Sequence, residues 1–193
     1  MRSIITTAVA VCFSCTAVAE SAIYANLDSG WAEQSGLPTA NNVGASSLDH
    51  RVFPSVWSAD IGYNHDFSDN VGLGAEAGAG LFGKATYQFS NGKSTAESSV
   101  ISFMGQILGH YKPADIILKM GLARVNLDVT GLNKGSRSRP HFEIGFGGAY
   151  KFNAHFALQA IYLHIFGGNL TSLANLTDTP KINAVLTGLR ITF

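Results

Sequence analysis

The sequence predicts an all-β protein, an eight-stranded, antiparallel, up-and-down β-barrel that spans a membrane. Three observations carry that prediction. Apolar residues recur at every second position through most of the chain. Small and turn-forming residues interrupt the alternation at regular intervals. Finally, 46% of the 193 residues are hydrophobic and only 13% are charged. Yet no apolar run beyond the first twenty residues reaches the ~18 residues that a membrane helix needs. Apolar composition without membrane helices leaves the closed barrel, because lipid offers backbone amides no partner.

The N-terminus reads as an export signal. Arg2 supplies a positive start and residues 4–13 a mostly apolar core. Ala17-Val18-Ala19, with Ala17 and Ala19 as the small pair, forms a cleavage site before Glu20. This divides the chain into a signal peptide, 1–19, and a barrel domain, 20–193. Both cysteines, Cys12 and Cys15, fall in the removed part. The mature chain would then hold no disulfide and no cysteine-based metal or nucleophile chemistry.

The strands follow in order. The first, residues 22–33, alternates least clearly. In the second, Phe53, Ser55, Trp57, Ala59, Ile61 and Tyr63 share one face, against Val56, Ser58, Asp60 and Gly62. In the third, Val71, Leu73, Ala75, Ala77, Ala79 and Leu81 oppose Gly72, Gly74, Glu76, Gly78 and Gly80. A helix would mix these sets, and each Gly would weaken it by about 1 kcal/mol. The fourth sets Ile101, Phe103, Ile107 and Tyr111 against Ser102, Gln106 and His110. The fifth sets Ile116, Leu118, Met120 and Leu122 against Lys119, Gly121 and Ala123. The sixth sets Phe142, Ile144, Phe146, Tyr150 and Phe152 against Glu143, Gly145, Gly147 and Lys151. In the seventh, Phe156, Leu158, Ala160 and Tyr162 oppose Gln159, with Ile161 and Leu163 blurring the pattern. The last sets Val185, Leu189, Ile191 and Phe193 against Ala184, Gly188, Arg190 and Thr192.

Connections alternate as well. Short turns are predicted at 64–69, at Lys112-Pro113-Ala114-Asp115 and at 152–155. Longer polar loops are predicted at 35–51, 88–97, 130–139 and 169–180. Short turns on one side and long loops on the other are the habit of outer-membrane barrels, with the turns and both termini periplasmic. The aromatic residues Tyr63, Phe67, Tyr111, Tyr150, Phe152 and Phe156 gather near the short turns, where an interfacial girdle belongs. The second face is mostly Gly, Ser and Ala with single charges. It suits the cramped inside of an eight-stranded barrel and would leave a soluble, lipocalin-like barrel without a core.

Five charges fall on that inner face: Asp60, Glu76, Lys119, Glu143 and Arg190. Isolated charges there are expensive, so an ion network that fixes register and fills the lumen is predicted. The last strand carries Gly188-Leu189-Arg190-Ile191-Thr192-Phe193. It resembles the C-terminal assembly signal of outer-membrane barrels, with Gly188, Ile191 and Phe193 as the matching positions. Leu186 stands where that signal has a polar residue. The resemblance implies that the last strand meets the barrel-assembly machinery.

Around Tyr63-Asn64-His65-Asp66-Phe67-Ser68-Asp69-Asn70, and again from Leu158 to Asn169, the chain resembles the opacity-protein and outer-membrane-protein-A-like barrel family. That resemblance implies the cell outer membrane as location, with outer-membrane lipid and lipopolysaccharide as surroundings.

The even balance of 13 basic and 13 acidic residues argues against nucleic acid as a partner. The six histidines show no metal-site spacing, and no cofactor is predicted. A cluster of Lys134, Arg137, Arg139 and His141 in the third long loop could meet lipopolysaccharide phosphates. An enzyme reading starts from lipid A deacylases, barrels that use a His-x-Ser pair on a lipid-facing strand. Here the sequence is His164-Ile165-Phe166, with Phe166 where the nucleophile would stand. The function predicted is non-enzymatic: structural, or adhesion to host or other cell-surface molecules through the loops. A narrow pore or small-molecule uptake barrel is the alternative.

Overall fold

Period-two patterning makes strands, and strands this apolar on one side must hide their edges. The computed structural model, which describes residues 21–34, 39–40, 43–44, 47–49, 56–89, 92–131, 134–168 and 179–193, shows how. Eight long strands form a ring. They are β1 (Ser21–Gln34), β2 (Val56–Ser68), β3 (Val71–Phe89), β4 (Gly92–Tyr111), β5 (Ala114–Gly131), β6 (Gly135–Lys151), β7 (Phe156–Ile165) and β8 (Ile182–Thr192). Each pairs antiparallel with the next in sequence. The ring closes where β1 meets β8, with Ala25 opposite Ile191 and Trp31 opposite Val185. Around the ring each of the eight strands is thus paired on both sides, which hides its edges within the membrane.

The apolar face points outward. Leu27, Trp57, Ile61, Ile101, Phe103, Leu118, Leu122, Phe146 and Leu158 are all exposed. So are all six aromatics of the predicted girdle. The inner face is crowded, and its glycines make room. A Cβ on Gly62 would strike the Tyr24 hydroxyl, and one on Gly188 would meet the Asp28 carboxylate.

The turn end is tighter than predicted. β2 runs on through 64–68, and the turn is only Asp69–Asn70. Ser68 Oγ accepts from the backbone N–H groups of Asn70 (3.3 Å) and Val71 (3.2 Å). Asn153 Oδ1 does the same for His155 (2.8 Å) and Phe156 (2.9 Å) in the β6–β7 turn. Such side-chain caps replace the ladder where the chain reverses.

The loop end holds the larger corrections. The predicted loops at 88–97 and 130–139 are mostly strand. β3 and β4 pair out to Phe89 and Gly92, and β5 and β6 to Val129 and Gly135. Arg137, Arg139 and His141 therefore lie on β6, and only Lys134 is in the connection. Ser47–Asp49 adds a short strand against Thr86–Gln88 of β3. Of the second strand's predicted start, Phe53 and Ser55 lie outside the described residues, as do Ala17 and Ala19 of the cleavage site.

The reason is a reversal of polarity along the strands. At about 3.4 Å per residue, the 20 residues of β4 stretch about 65 Å. Tilted by about 40°, they rise about 50 Å, twice the ~25 Å apolar band of a membrane barrel. In β5 the outward residues are apolar from Ile116 to Leu122 and then become Arg124, Asn126, Asp128 and Thr130. The inward residues, mixed below that point with Asp115, Ile117 and Lys119, are all apolar above it: Ala123, Val125, Leu127 and Val129 are buried. No register shift accompanies the switch. Below it the barrel is built for lipid, and above it for water.

Candidate functional site

Three levels of the interior are distinct. The middle level is polar. Tyr24 is held inward on β1, and its hydroxyl donates to Glu76 Oε2 at 2.8 Å. Lys119 Nζ, from β5, donates to the other oxygen of Glu76 at 2.6 Å. Gln106 Nε2 donates to the Tyr24 oxygen at 2.8 Å and also to Asn64 Oδ1. Further along β1, Gln159 Nε2 donates to both carboxylate oxygens of Asp28, each at 2.8 Å. Arg190 donates from Nε to Asn26 Oδ1 at 3.0 Å and lies over the Tyr24 ring, 4.2 Å from its centroid.

Of the five predicted lumen charges, Glu76 and Lys119 are thus in direct contact. Asp60 and Glu143 face the same central void, together with Asp28, Ser58 and Lys119. That void is about 30 Å³, room for about one water molecule. Glu143 is 1% exposed, and among the described residues its Oε2 has no hydrogen-bond partner; nor has Ser58 Oγ. Arg190 stands apart, bonded to Asn26 rather than to a carboxylate. The partners Tyr24, Asn26 and Asp28 went unread because β1 carries small Ala25 and Ser29 on its outer face, which weakens the alternation. Their spacing of two residues was the available signal.

The upper level is an apolar plug. Val56, Phe82, Val100, Met104, Val125, Leu163, Ile165, Ile182 and Leu186 converge from β2, β3, β4, β5, β7 and β8. It lies between the polar network and the loop end. Gln34 Nε2 ties in above it, donating to the Phe82 carbonyl at 3.1 Å.

The lower level opens at the turn end. There the two ring nitrogens of His110 face Asp115 Oδ1 at 2.8 Å and Asp66 Oδ1 at 3.1 Å. Lys151 Nζ reaches Asp115 Oδ2 at 2.9 Å.

Outside the barrel, His164 Nδ1 meets Asn183 Oδ1 at 2.6 Å, and the Tyr162 hydroxyl donates to the same oxygen at 3.0 Å. The Phe166 ring packs edge-on to His164 at 4.3 Å, where a deacylase would need its hydroxyl. At the loop end Arg139 and Lys134 are exposed, and Arg137 is half-buried. His141 Nε2 lies 2.5 Å from Thr179 Oγ1. In the last strand Gly188 faces inward beneath Asp28, while Phe193 faces outward and is 74% exposed. The Phe193 N–H donates to the Ile23 carbonyl at 2.9 Å, and Ile191 pairs with Ala25 and Phe156.

A family model described as outer membrane protein β-barrel domain matches residues 5–193. No curated protein sequence matches the chain. Among solved structures, Ail, the attachment invasion locus protein of Yersinia pestis, is similar with a TM-score of 0.57 and 12% identity, over 90% of this chain and 97% of that one. A second structure of Ail, in complex with the heparin analogue sucrose octasulfate, is similar with a TM-score of 0.53 and 12% identity, over 91% and 99%. The outer membrane protein OprG of Pseudomonas aeruginosa is similar with a TM-score of 0.50 and 9% identity, over 90% and 95%.

Proposed function

The chain belongs to the outer membrane protein β-barrel family and resides in the outer membrane, and from that premise we propose that it is a non-enzymatic surface protein that works at its loop end. One observation carries this reading. β3 to β6 leave the lipid and go on pairing, β5 and β3 with their polarity reversed, which raises a wall of strand above the membrane. A wall of this kind has no use inside lipid, and it places Lys93, Glu97, Arg124, Asp128 and Arg139 in water. In this reading the turn end is periplasmic and the loop end extracellular.

The partner proposed is a phosphorylated or sulfated sugar surface, on lipopolysaccharide or on another cell. Lys134, Arg137 and Arg139 supply the cations, and such groups favour charge-assisted pairing with arginine. The complex of Ail with a heparin analogue is consistent with that chemistry on a similar fold. The uptake-pore alternative fits less well, because the apolar plug stands across the lumen.

The test is adherence. Cells of a laboratory Gram-negative host carrying the protein should bind heparin-coated or lipopolysaccharide-coated surfaces. Replacing Lys134, Arg137 and Arg139 together by Ser removes the proposed cations and leaves the backbone pairing of β5 with β6 in place. That variant should still show heat-modifiable gel migration and should lose adherence. Equal adherence by host cells without the protein would sink the proposal.

Export is part of the same reading. We assign residues 1–19 as the signal, so N-terminal sequencing of the membrane-purified protein should begin at Glu20. A sequence beginning at Met1 would remove that assignment.

A further inference from the structure

The turn end opens into a vestibule of about 470 Å³, within the ~300–1,000 Å³ range of small-molecule sites. Its lining includes three cations, Lys112, Lys151 and Arg190, against two carboxylates, Asp66 and Asp115, with His110 between them. Both carboxylates are already engaged. Asp66 faces His110, and Asp115 faces His110 and Lys151.

Arg190 is different. It is 4% exposed and has no ion pair among the described residues. Its Nε is satisfied by Asn26, and the Tyr24 ring covers one face. Its Nη2 finds no acceptor among the described residues. A guanidinium carries five donors and cannot shed its charge. Asp28 and Asp60 act on it only through space, and a guanidinium withdrawn from water without a carboxylate bonded to it is costly to bury. The cation–π contact offsets part of that cost and leaves the unmet donor unmet. The vestibule is the space from which an anion could reach this group.

We propose that the vestibule is a binding site for a small oxyanion, a carboxylate or phosphate group that enters from the periplasm and pairs with the Arg190 guanidinium. The wall beside Arg190 is apolar, with Ala157 and Ala22, so the body of the ligand rests on uncharged surface while its anionic head meets the arginine. Lys112 at the rim draws the anion in. Lys151, although paired with Asp115, adds positive potential along the same path. The proposal rests on the turn end being periplasmic and is independent of adherence at the loop end.

The experiment is a titration of the folded barrel in detergent micelles, followed by NMR at Tyr24 and Arg190 and by calorimetry. Three probes are used: inorganic phosphate, N-acetyl-dialanine, and the amide of that dipeptide. Saturable binding of the acid but not the amide assigns a carboxylate, and saturable binding of phosphate assigns a phosphate group. Arg190→Gln should weaken either by roughly tenfold or more, one charge-assisted contact in free energy. Its folding is checked by heat-modifiable migration. If that variant does not fold, Ala154→Trp, on the exposed β6–β7 turn that lines the vestibule, should block binding without touching the interior. Absence of saturable binding by all three probes overturns the site, as does binding unchanged in the folded variant. Either result leaves the adherence assay unaffected.

Discussion

Glu143 and Glu76 line the same central void, yet their removal should act in opposite directions. Glu76 accepts from both Lys119 and Tyr24. Glu143 faces a void shared with Asp28, Asp60 and Glu76, where Lys119 is the one cation in the lining. Glu143→Gln keeps the volume and removes a carboxyl that folding must either neutralise or bury charged among like charges, so it should raise stability by about 1 kcal/mol. Glu76→Gln leaves two buried donors without their charged acceptor and should lower it by roughly 2 kcal/mol. Urea unfolding in lipid vesicles, read from the fluorescence of lipid-facing Trp31 and Trp57, would measure both. A loss of stability in Glu143→Gln would mean that this carboxylate is a needed partner rather than a surplus one. At this scale the inward positions of Asp60, Glu76, Lys119, Glu143 and Arg190 were legible, because a charge on the inner face of a clearly alternating strand is conspicuous, whereas Asp28 was hidden by the weak alternation of β1. Their neutral partners were not legible either, since Tyr24 and Asn26 look like ordinary residues until Arg190 and Glu76 are seen against them.

The elements were legible inside the lipid and misread outside it. Alternation marks a strand only while one face is consistently apolar, and in β5 the apolar set passes from even to odd positions between Leu122 and Ala123. Read as one pattern, the change ends the strand; read as two, it marks the exit from the membrane. β3 makes the same exit with a bulge. Its register shifts between Leu81 and Lys84, with Gly83 at a φ of 76°. The extra residue keeps Phe82 in the plug and returns Lys84 to the outer face, where it pairs with Glu97 at 3.2 Å. A residue with a Cβ is strained at that φ, and a β-branched one more so. Gly83→Val should therefore destabilise the barrel by about 1–2 kcal/mol. Thermal unfolding of the two proteins would show it, and an unchanged midpoint would mean that the bulge can relax. The same unfolding with Gly80→Ala, near the bulge but at an ordinary φ, separates strain from crowding by Phe82.

For the molecule as a whole, the decisive property is that two barriers stand in series. The Lys119–Glu76 network fills the middle of the lumen, and the apolar plug closes it toward the loop end. Eight strands leave an interior that side chains alone can fill. Ion flow through a series is limited by its most resistive part, so opening either barrier alone should do little. The unmodified protein should give no porin-size steps in a planar bilayer. Leu163→Gly with Leu186→Gly hollows the plug but leaves the ion pair across the lumen, and conductance should stay near zero. Adding Lys119→Ser to that pair removes the lock and should produce small, cation-preferring steps, because the remaining Asp28, Asp60, Glu76 and Glu143 line the path. Steps already present in the leucine variant would place the whole barrier in the plug. Porin-size steps from the unmodified chain would contradict a closed lumen. They would also return the function to transport, since a wall of strand above the membrane would then frame an entrance.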